Sequence, residues 1–357
     1  MGVKETVTIV GAGLSGLTLA YILSERHISV KILEASNRLG GRIQTVKGVN
    51  ETPLELGATW FSEMHPNLLA LIKKLDLKIY PQFSHGVSLF QTKSFEPPQK
   101  FFVPEAELPS YRLVGGTQML IDTLGKKIPD NTIMLNAKVT AIKETKKGIV
   151  LETSDGQTCE SDKVIVCIPP QLAGNQITFL PELPVSLSKV LSNVQTWMAG
   201  AVKFVLEYEQ PFWRSEGFSG MLYSHAGIIT EMYDHTNFEK NKFGFTGFLN
   251  NGSTSFSQQV RKDLVIRQLS ELFGEMALDY TTYIDKIWTD EYIMAGHQVV
   301  QRPHQNNGHP LLQKSYMGGK LFFAATETAT QCPGYMEGAV CAATKTAQTA
   351  CNLPQFL

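Results

Sequence analysis

The sequence of 357 residues is poor in cysteine and carries almost no net charge. Its five cysteines form no Cys-x-x-Cys pair and show no spacing typical of metal ligands; they are Cys159, Cys167, Cys332, Cys341 and Cys351. Their odd number and wide scatter indicate reduced thiols in a reducing compartment. Lysine and arginine total 32 against 33 aspartate and glutamate residues, so the overall charge gives no reason to expect nucleic acid or an anionic membrane as a partner.

Long apolar runs are also missing. No segment holds ~18 uninterrupted apolar residues, so no transmembrane helix is expected. The polar stretch from Met1 to Thr6 does not look like a secretory signal, and a cytoplasmic location is therefore expected. Hydrophobic residues nevertheless make up 43% of the chain and charged residues 18%, which predicts a sizeable core in a soluble globular protein of about two domains.

Several catalytic motifs are absent as well. The sequence contains no His-Glu-x-x-His metal motif, no Gly-x-Ser-x-Gly nucleophile elbow and no P-loop. His297, His304 and His309 fall in a segment rich in proline and asparagine, without an acidic ligand at helical spacing. Solvated loop histidines are therefore predicted, and no metal site is expected.

The N-terminal segment predicts a βαβ unit. An apolar strand at 6–10, a helix at 14–26 and a second strand at 28–33 follow one another. This order is typical of a parallel sheet, so an α/β fold is expected. Further along, the sequence predicts strands at 132–135, 139–143, 148–153, 163–168, 202–208, 243–249 and 320–325, helices at 68–75, 263–273 and 335–350, and turns at 154–156 and 250–252. Residues 82–108 show no clear period.

A glycine fingerprint joins the first strand to its helix. Gly11, Gly13 and Gly16 form Gly-x-Gly-x-x-Gly, and Glu34 ends the second strand. The first glycine allows the tight turn, the second lets the backbone approach a pyrophosphate, and the third lets helix and strand pack closely. The phosphates would sit on the unpaired amides of the helix N-terminus, with Glu34 placed for the ribose hydroxyls. The pattern predicts a dinucleotide site without choosing between NAD and FAD.

The segment after the second strand, EASNRLGGR at 34–42, decides between these cofactors. Its adjacent glycines would let the chain run close beside a ligand and Arg42 would place a cation there, an extension that a nicotinamide dehydrogenase does not need. Here the sequence strongly resembles the flavin-dependent amine oxidases, the family of monoamine and polyamine oxidases. The resemblance covers nearly the whole chain, through ELGATW at 55–60, VGG at 114–116, AVK at 201–203, PFW at 211–213, FAATETAT at 323–330 and GYMEGA at 334–339.

The resemblance implies a Rossmann-like FAD-binding domain and a smaller substrate domain of sheet and helices. The expected boundaries are 1–79, 117–192 and 291–357 for the FAD-binding domain, and 80–116 and 193–290 for the substrate domain. FAD is expected to be bound without a covalent link, because His297 stands where the mitochondrial monoamine oxidases carry the cysteine that tethers the flavin. A histidyl link is the alternative.

The residues expected to hold FAD lie in the matching motifs; they are Gly11, Gly13, Leu14, Ser15, Gly16, Glu34, Ala35, Arg38, Gly40, Gly41, Arg42, Gly57, Ala58, Thr59, Val139, Glu327, Tyr335 and Met336. Gly334 precedes a helix whose N-terminus would point at the pyrimidine edge of the flavin, where reduction leaves negative charge. Glu327 is expected to be a buried hydrogen-bonding residue rather than a general base. Ala325 stands where the family usually has glycine.

The resemblance also implies a set of catalytic residues, namely Lys203, Tyr335, Trp288 and Gln298. In the family the lysine matching Lys203 lies behind the flavin and holds a water at N5, whereas a lysine in an apolar strand can also simply extend to the surface. Trp288 and Tyr335 match aromatic residues at the flavin, for which core packing is the alternative. Gln298 replaces the second aromatic residue of the family's cage. Trp60 and His297 are further candidates for the substrate pocket.

The implied activity is the oxidation of an amine by hydride transfer to flavin N5. Dioxygen would be the acceptor, and the products would be an imine or aldehyde, ammonia or a smaller amine, and hydrogen peroxide. Because half of the cage is missing, a desaturase or dehydrogenase resembling the protoporphyrinogen oxidases and carotene desaturases is an alternative. A flavin-binding protein without turnover is another. The sequence leaves the substrate, the natural acceptor and the oligomeric state open.

Overall fold

A computed structural model describes residues 5–289 and 304–356. The α-helices in this part of the chain are α1 Leu14–Ser24, α2 Pro66–Lys74, α3 Gln118–Lys127, α4 Pro170–Gln176, α5 Val185–Asn193, α6 Phe212–Ser215, α7 Gln258–Phe273 and α8 Met336–Cys351. Short 3₁₀ helices cover Asn251–Ser255, Glu275–Leu278, Pro310–Gln313 and Thr326–Thr328. Within the described residues, no helix combines the length and the apolar character that crossing a membrane requires.

The strands are β1 Thr6–Val10, β2 Ser29–Leu33, β3 Thr45–Lys47, β4 Pro53–Glu55, β5 Ile79–Pro81, β6 Gly86–Gln91, β7 Gln99–Val103, β8 Tyr111–Leu113, β9 Ile133–Met134, β10 Val139–Glu144, β11 Ile149–Thr153, β12 Thr158–Ser161, β13 Lys163–Val166, β14 Thr178–Leu180, β15 Val202–Tyr208, β16 Phe218–Ser224, β17 Ile229–Asp234, β18 Phe243–Leu249, β19 Tyr280–Ile287 and β20 Leu321–Phe323. They form three larger sheets and two short ribbons.

The first sheet is parallel, with the strand order β20-β13-β1-β2-β9. Its strands are apolar on both faces because both faces are covered. Ile9 and Ile165 pack into one core with α1, α2, α3 and α8. Val10 and Val166 pack on the other face with β10, β11, α4 and α5. The predicted α/β fold and its Rossmann-like sheet are therefore confirmed.

The start of α1 depends on the glycine fingerprint. Gly13 is the extended N-cap residue of the helix, with φ −74° and ψ −179°. Gly16 lies so close to the preceding turn that a Cβ atom built on it would be 2.0 Å from the carbonyl oxygen of Gly11. Only glycine at this position lets the helix pack directly against the end of β1.

The largest sheet has seven strands in the order β19-β15-β18-β17-β16-β6-β7. Its central strands β15 and β18 have the bounds that the sequence predicts. Phe248 lies opposite Lys203 on one neighbouring strand and opposite Glu231 on the other. Because residues directly opposite each other share a face of a sheet, these three side chains form one row across it.

The absence of a clear period at 82–108 does not mean an absence of structure, because this segment contains β6 and β7. β6 carries buried polar residues that pair with each other or with neighbouring strands, as in the 2.7 Å hydrogen bond between Ser88 and Ser219. β7 is an edge strand with exposed Phe101 and Phe102. Buried polar and exposed aromatic residues together erase the alternation that would have revealed the hairpin.

Two predicted boundaries also need correction. The helix predicted at 263–273 starts earlier, at Gln258, because the Ser257 side chain accepts a hydrogen bond from the Val260 amide and caps the helix. The turn predicted at 250–252 leads into a 3₁₀ helix, since the Asn250 side chain accepts from the Ser253 amide in the same way. In both segments a polar cap begins a helical turn before the apolar pattern starts.

Candidate functional site

A cavity of about 480 Å³ lies between the parallel sheet and the seven-stranded sheet. Its floor includes Gly11, Glu34 and Cys167, which follow the carboxyl ends of β1, β2 and β13. This edge is where open α/β sheets bind ligands. The opposite wall is the row of Lys203, Phe248 and Glu231 on the seven-stranded sheet. A ligand in this cavity would thus contact both sheets.

The end of the cavity at β1 has the form of a dinucleotide cradle. Gly11 has a φ of +102°, which favours glycine, and a Cβ atom built on Gly13 meets no heavy atom within 4 Å. The carboxylate of Glu34 is held in place, because its oxygens accept from the amide of Ala12 at 2.6 Å and from the amide of Ser36 at 2.9 Å. An open glycine turn beside a fixed carboxylate fits a pyrophosphate and a ribose.

Most of the predicted cofactor residues line this cavity. Those that do are Gly11, Gly13, Leu14, Ser15, Glu34, Ala35, Arg38, Gly40, Gly41, Arg42, Gly57, Ala58, Thr59, Val139, Tyr335 and Met336. Gly16 and Glu327 do not: Gly16 packs against the turn, and Glu327 lies behind Arg42. Arg38 donates to the carbonyl oxygens of Ile43 and Gly41, so it also ties the loop that follows β2.

Arg42 and Glu327 form a two-pronged ion pair between distant parts of the chain. The guanidinium nitrogens donate to the two carboxylate oxygens at 2.6 and 3.1 Å. Glu327 is fully buried, whereas Arg42 reaches the cavity. The pair joins the loop after β2 to the segment after β20. Both segments border the end of the cavity at Gly11 and Glu34, which is called the cofactor end below.

We expect Arg42→Met to lower the free energy of unfolding by about 3–5 kcal/mol, because it leaves the carboxylate of Glu327 buried without its cation. Adding Glu327→Gln to that variant should recover part of the loss, since a neutral amide costs less to bury than a charge. Urea unfolding followed by circular dichroism measures both effects. Equal stability of Arg42→Met and the unaltered protein would show that the pair contributes nothing.

Lys203 does not extend to the surface. Its side chain is 2% exposed, and its Nζ donates to the carbonyl oxygen of Gly57 at 2.7 Å and to Oγ1 of Thr59 at 2.6 Å. Burial lowers the pKa of Lys203 to about 7, although the nearby carboxylate of Glu55 acts in the opposite direction. Nζ also lies 5.0 Å from the ring centroid of Trp60. A lysine whose pKa is close to neutral pH therefore faces an aromatic wall inside the cavity.

Two tryptophans among the predicted residues are fixed at the cavity by their ring nitrogens. Nε1 of Trp288 donates to the carbonyl oxygen of Leu56 at 2.8 Å, so the indole is held against the segment that also binds Lys203. Nε1 of Trp60 donates to Oε1 of Gln82 at 2.9 Å. Both rings line the cavity and are not simply packed in the core.

Tyr335 lies in an aromatic cluster that the sequence did not reveal. It is 43% exposed, and its ring stacks on His304 at a centroid distance of 5.8 Å and lies 6.1 Å from Trp197. His304 in turn stacks on Trp197 at 4.6 Å. The prediction that His304 is a solvated loop side chain is therefore wrong, because the ring is half-buried between two aromatic neighbours.

Two of the predicted site residues fall outside the described part of the chain, and three residues that line the cavity were not predicted. Gln298 and His297 lie outside the described residues. Trp197, Glu231 and Phe248 line the cavity but stand in no glycine-rich motif. A sequence signal for them was weak, because their proximity depends on strand register and on a loop before β15. Across residues 5–289 and 304–356, no group of three histidine, cysteine or acidic side chains is placed to hold a metal ion.

The chain is similar to several known proteins. The sequence profile of the family described as flavin containing amine oxidoreductase matches residues 14–103 and 88–351. The probable flavin-containing monoamine oxidase A of Dictyostelium discoideum is 24% identical over 445 aligned residues, covering 95% of this chain and 96% of that protein. Amine oxidase [flavin-containing] B of Mus musculus is 25% identical, covering 95% of this chain and 85% of that protein. A solved structure of putrescine oxidase bound to putrescine has a TM-score of 0.84 at 20% identity, covering 98% and 100% of the two chains.

Proposed function

The chain belongs to the flavin-containing amine oxidoreductase family, and from this premise we propose that it is an FAD-dependent amine oxidase. In the proposed reaction an amine, dioxygen and water give an aldehyde, ammonia or a smaller amine, and hydrogen peroxide. The observation that carries the proposal is the buried Lys203 on the wall of a cavity that ends at the Gly11 turn. A protein that binds flavin without turnover would not need a buried lysine whose pKa is close to neutral pH at this place.

The residues of the cofactor end fit FAD, and its binding without a covalent link is part of the proposal. Gly11 and Gly13 would contact the pyrophosphate, Glu34 would accept the ribose hydroxyls, and the N-terminus of α8 at Met336 would face the flavin. When bound, FAD supplies the two-electron acceptor for the oxidation and passes the electrons to dioxygen. Arg42 and Glu327 hold the two backbone segments of this end together.

Lys203 would hold a water molecule and transfer protons. Two of the three hydrogen-bonding positions of its amino group are used by Gly57 and Thr59. The third is left for a water in the cavity, and with a pKa of about 7 the amino group can both give and take a proton near neutral pH. A water held there would be placed to hydrolyse the imine product.

The aromatic walls would act on the substrate amine. An amine must lose its proton before the neighbouring C–H bond can give up a hydride, because the nitrogen lone pair stabilises the cation that forms. Trp60, Phe248 and Tyr335 line the substrate side of the cavity. Burial against these rings disfavours the ammonium form and so favours the reactive neutral amine.

A spectroscopic experiment tests the proposal. The purified protein should be yellow, acid precipitation should release free FAD, and anaerobic addition of an effective amine should bleach the flavin until air is admitted. Peroxide and aldehyde should then form in equal amounts. No bleaching across panels of primary amines, secondary amines and polyamines would contradict an amine oxidase, and flavin retained in the precipitate would contradict non-covalent binding.

The same experiment separates the alternatives. The desaturase interpretation depended on Gln298, which lies outside the described residues. The substrate wall carries Lys203 and Glu231, and two ionisable groups are a poor lining for a wholly apolar carbon chain. A yellow protein that forms no peroxide, and whose Lys203→Met variant behaves identically, would instead support flavin binding without turnover.

A further inference from the structure

Two tyrosines join the cavity wall at Glu231 to the surface of the protein. The hydroxyl of Tyr233 donates a hydrogen bond to Oε1 of Glu231 and also pairs with the hydroxyl of Tyr223 at 2.8 Å. Of these three side chains, Glu231 alone is among the described residues that line the cavity. At the other end Tyr223 is 38% exposed. The three residues, called the hydroxyl relay below, form a continuous series of hydrogen bonds from the cavity to the surface.

The seven-stranded sheet fixes the geometry of the hydroxyl relay. Tyr223 on β16 lies directly opposite Glu231 on β17, and Tyr233 follows two positions later on β17. All three side chains therefore lie on one face of the sheet. The ring of Tyr233 packs edge-on against Trp60 at a centroid distance of 5.0 Å. Strand pairing and ring packing together hold the hydroxyl groups within hydrogen-bonding distance of each other.

The carboxylate sets the direction of these hydrogen bonds. An ionised carboxylate can only accept, so the single proton of the Tyr233 hydroxyl points to Glu231. The oxygen of Tyr233 must then accept from Tyr223. Burial raises the pKa of Tyr233, as does its hydrogen bond to Glu231, so this hydroxyl keeps its proton. In this arrangement each hydroxyl can pass its own proton inwards while it receives another from the surface side.

The proposed amine oxidation releases one proton in the cavity and consumes one there, at different steps. Loss of a hydride to the flavin and of a proton to the surroundings converts R–CH₂–NH₃⁺ to R–CH=NH₂⁺. Reduction of dioxygen to hydrogen peroxide takes up that hydride and one proton. The sum is R–CH₂–NH₃⁺ + O₂ → R–CH=NH₂⁺ + H₂O₂, so the protons balance only over the complete cycle. A route for protons between cavity and solvent would serve both steps.

We propose that the hydroxyl relay carries protons between the cavity and the surface, with Glu231 as the group that exchanges them with the cavity. This inference rests on the proposed amine oxidation. Inward, water gives a proton to Tyr223, Tyr223 gives its own to Tyr233, and Tyr233 gives its own to the carboxylate of Glu231. Within the described part of the chain, Oε2 of Glu231 has no hydrogen-bond donor, so rotation of the neutral carboxyl group can present the proton to the cavity. Outward transfer is the reverse.

The timing of proton uptake tests this proposal. The flavin-loaded protein is reduced with light, without an amine, in weakly buffered solution with a pH-indicator dye, and is then mixed with dioxygen. Flavin absorbance reports reoxidation, and the dye reports proton uptake from the solvent. In the unaltered protein we expect both signals to change together. In Tyr233→Phe, which removes the middle hydroxyl, proton uptake should be slower by roughly 100-fold, so that the dye signal lags behind the flavin signal.

Further variants separate proton transfer from a structural effect. Glu231→Gln should give the same lag, because the amide oxygen still accepts from Tyr233 but the amide does not take up the proton. Tyr223→Phe should give a smaller lag, since water can replace an exposed hydroxyl. Imidazole, added as a small proton carrier, should shorten all three lags. Tyr283→Phe is the matched control, because its hydroxyl donates to Asp285 at 2.8 Å and Tyr283 is not among the described lining residues.

Two results would overturn the proposal. One is simultaneous flavin and dye signals in either Tyr233→Phe or Glu231→Gln, and the other is a lag that imidazole does not shorten. Because the experiment needs no amine, it separates this inference from the proposed function. The predicted lag in a protein that oxidises no amine would support the hydroxyl relay and refute the oxidase. Amine oxidation without the lag would do the reverse.

Discussion

Replacement of Gly13 by valine is expected to lower the affinity for FAD by roughly 100-fold or more while the protein stays folded. Gly13 has φ −74°, which any residue can adopt, and a Cβ atom built on it meets no heavy atom within 4 Å. The added side chain would therefore enter the cavity, where the pyrophosphate must approach the backbone. The substitution should affect the ligand and not the packing of the protein.

A second glycine of the same motif provides the contrast. A Cβ atom on Gly16 would lie 2.0 Å from the carbonyl oxygen of Gly11, so Gly16→Val should destabilise the fold itself. Ala106→Val, in an exposed loop, should have neither effect. The measurements are the ratio of flavin to protein absorbance and the unfolding transition by circular dichroism. Full flavin content in Gly13→Val would show that the cofactor does not bind at this turn.

Much of the cofactor end could be predicted from the sequence because its signals are local. Gly11, Gly13 and Glu34 lie within one βαβ unit, and the apolar runs around them fix strands on both sides of the motif. The apolar runs of β15 and β18 likewise gave the bounds of those strands. In each case one short stretch of residues determines both the backbone conformation of the turn or strand and the way in which it packs.

The substrate side could be predicted only in part, because its geometry depends on contacts between distant residues. Lys203 was found through a motif, but its neighbours Phe248 and Glu231 are joined to it by strand register alone. Register is set by the hydrophobic patterns of both paired strands and by the turns between them, so the sequence of one strand alone does not show its partners. Trp197 and His304 come together from separate loops, and the polar His304 gave no sign that its ring stacks on a tryptophan.

The Lys203→Met variant should oxidise amines about 100- to 10,000-fold more slowly, because it removes the group proposed to hold the water and move the proton. Methionine has a similar length and suits the aromatic surroundings of Trp60 and Phe248. The carbonyl oxygen of Gly57 would still accept from Oγ1 of Thr59 at 3.1 Å, so the backbone keeps a partner. Lys189→Met, on the exposed face of α5, is the matched control. Unchanged turnover in Lys203→Met would refute the catalytic role.

The same variant should be more stable than the unaltered protein, and the difference should depend on pH. The pKa of Lys203 is about 7 in the fold, below its ordinary value of 10.5, because burial disfavours the ammonium form. Between these two values the unfolded chain holds a proton that the folded chain lacks, so unfolding takes up a proton and stability rises with pH. Below about pH 7 both forms are protonated and the full cost of the buried cation remains. The gain in Lys203→Met, on the order of a few kcal/mol, should therefore be largest below pH 7 and shrink as the pH approaches 10.

Urea unfolding of the two proteins from pH 6 to pH 10 measures this difference, with the exposed Lys189→Met as the control for loss of a lysine. A constant difference across the range would mean that Lys203 is not buried as an uncharged amine. A difference that shrinks with rising pH, together with slow turnover, would mean that the protein tolerates an unfavourable lysine because the reaction needs it. Lys203 would then lower the stability of the protein while it raises the activity. This is expected where burial keeps the pKa of a group close to neutral pH for proton transfer.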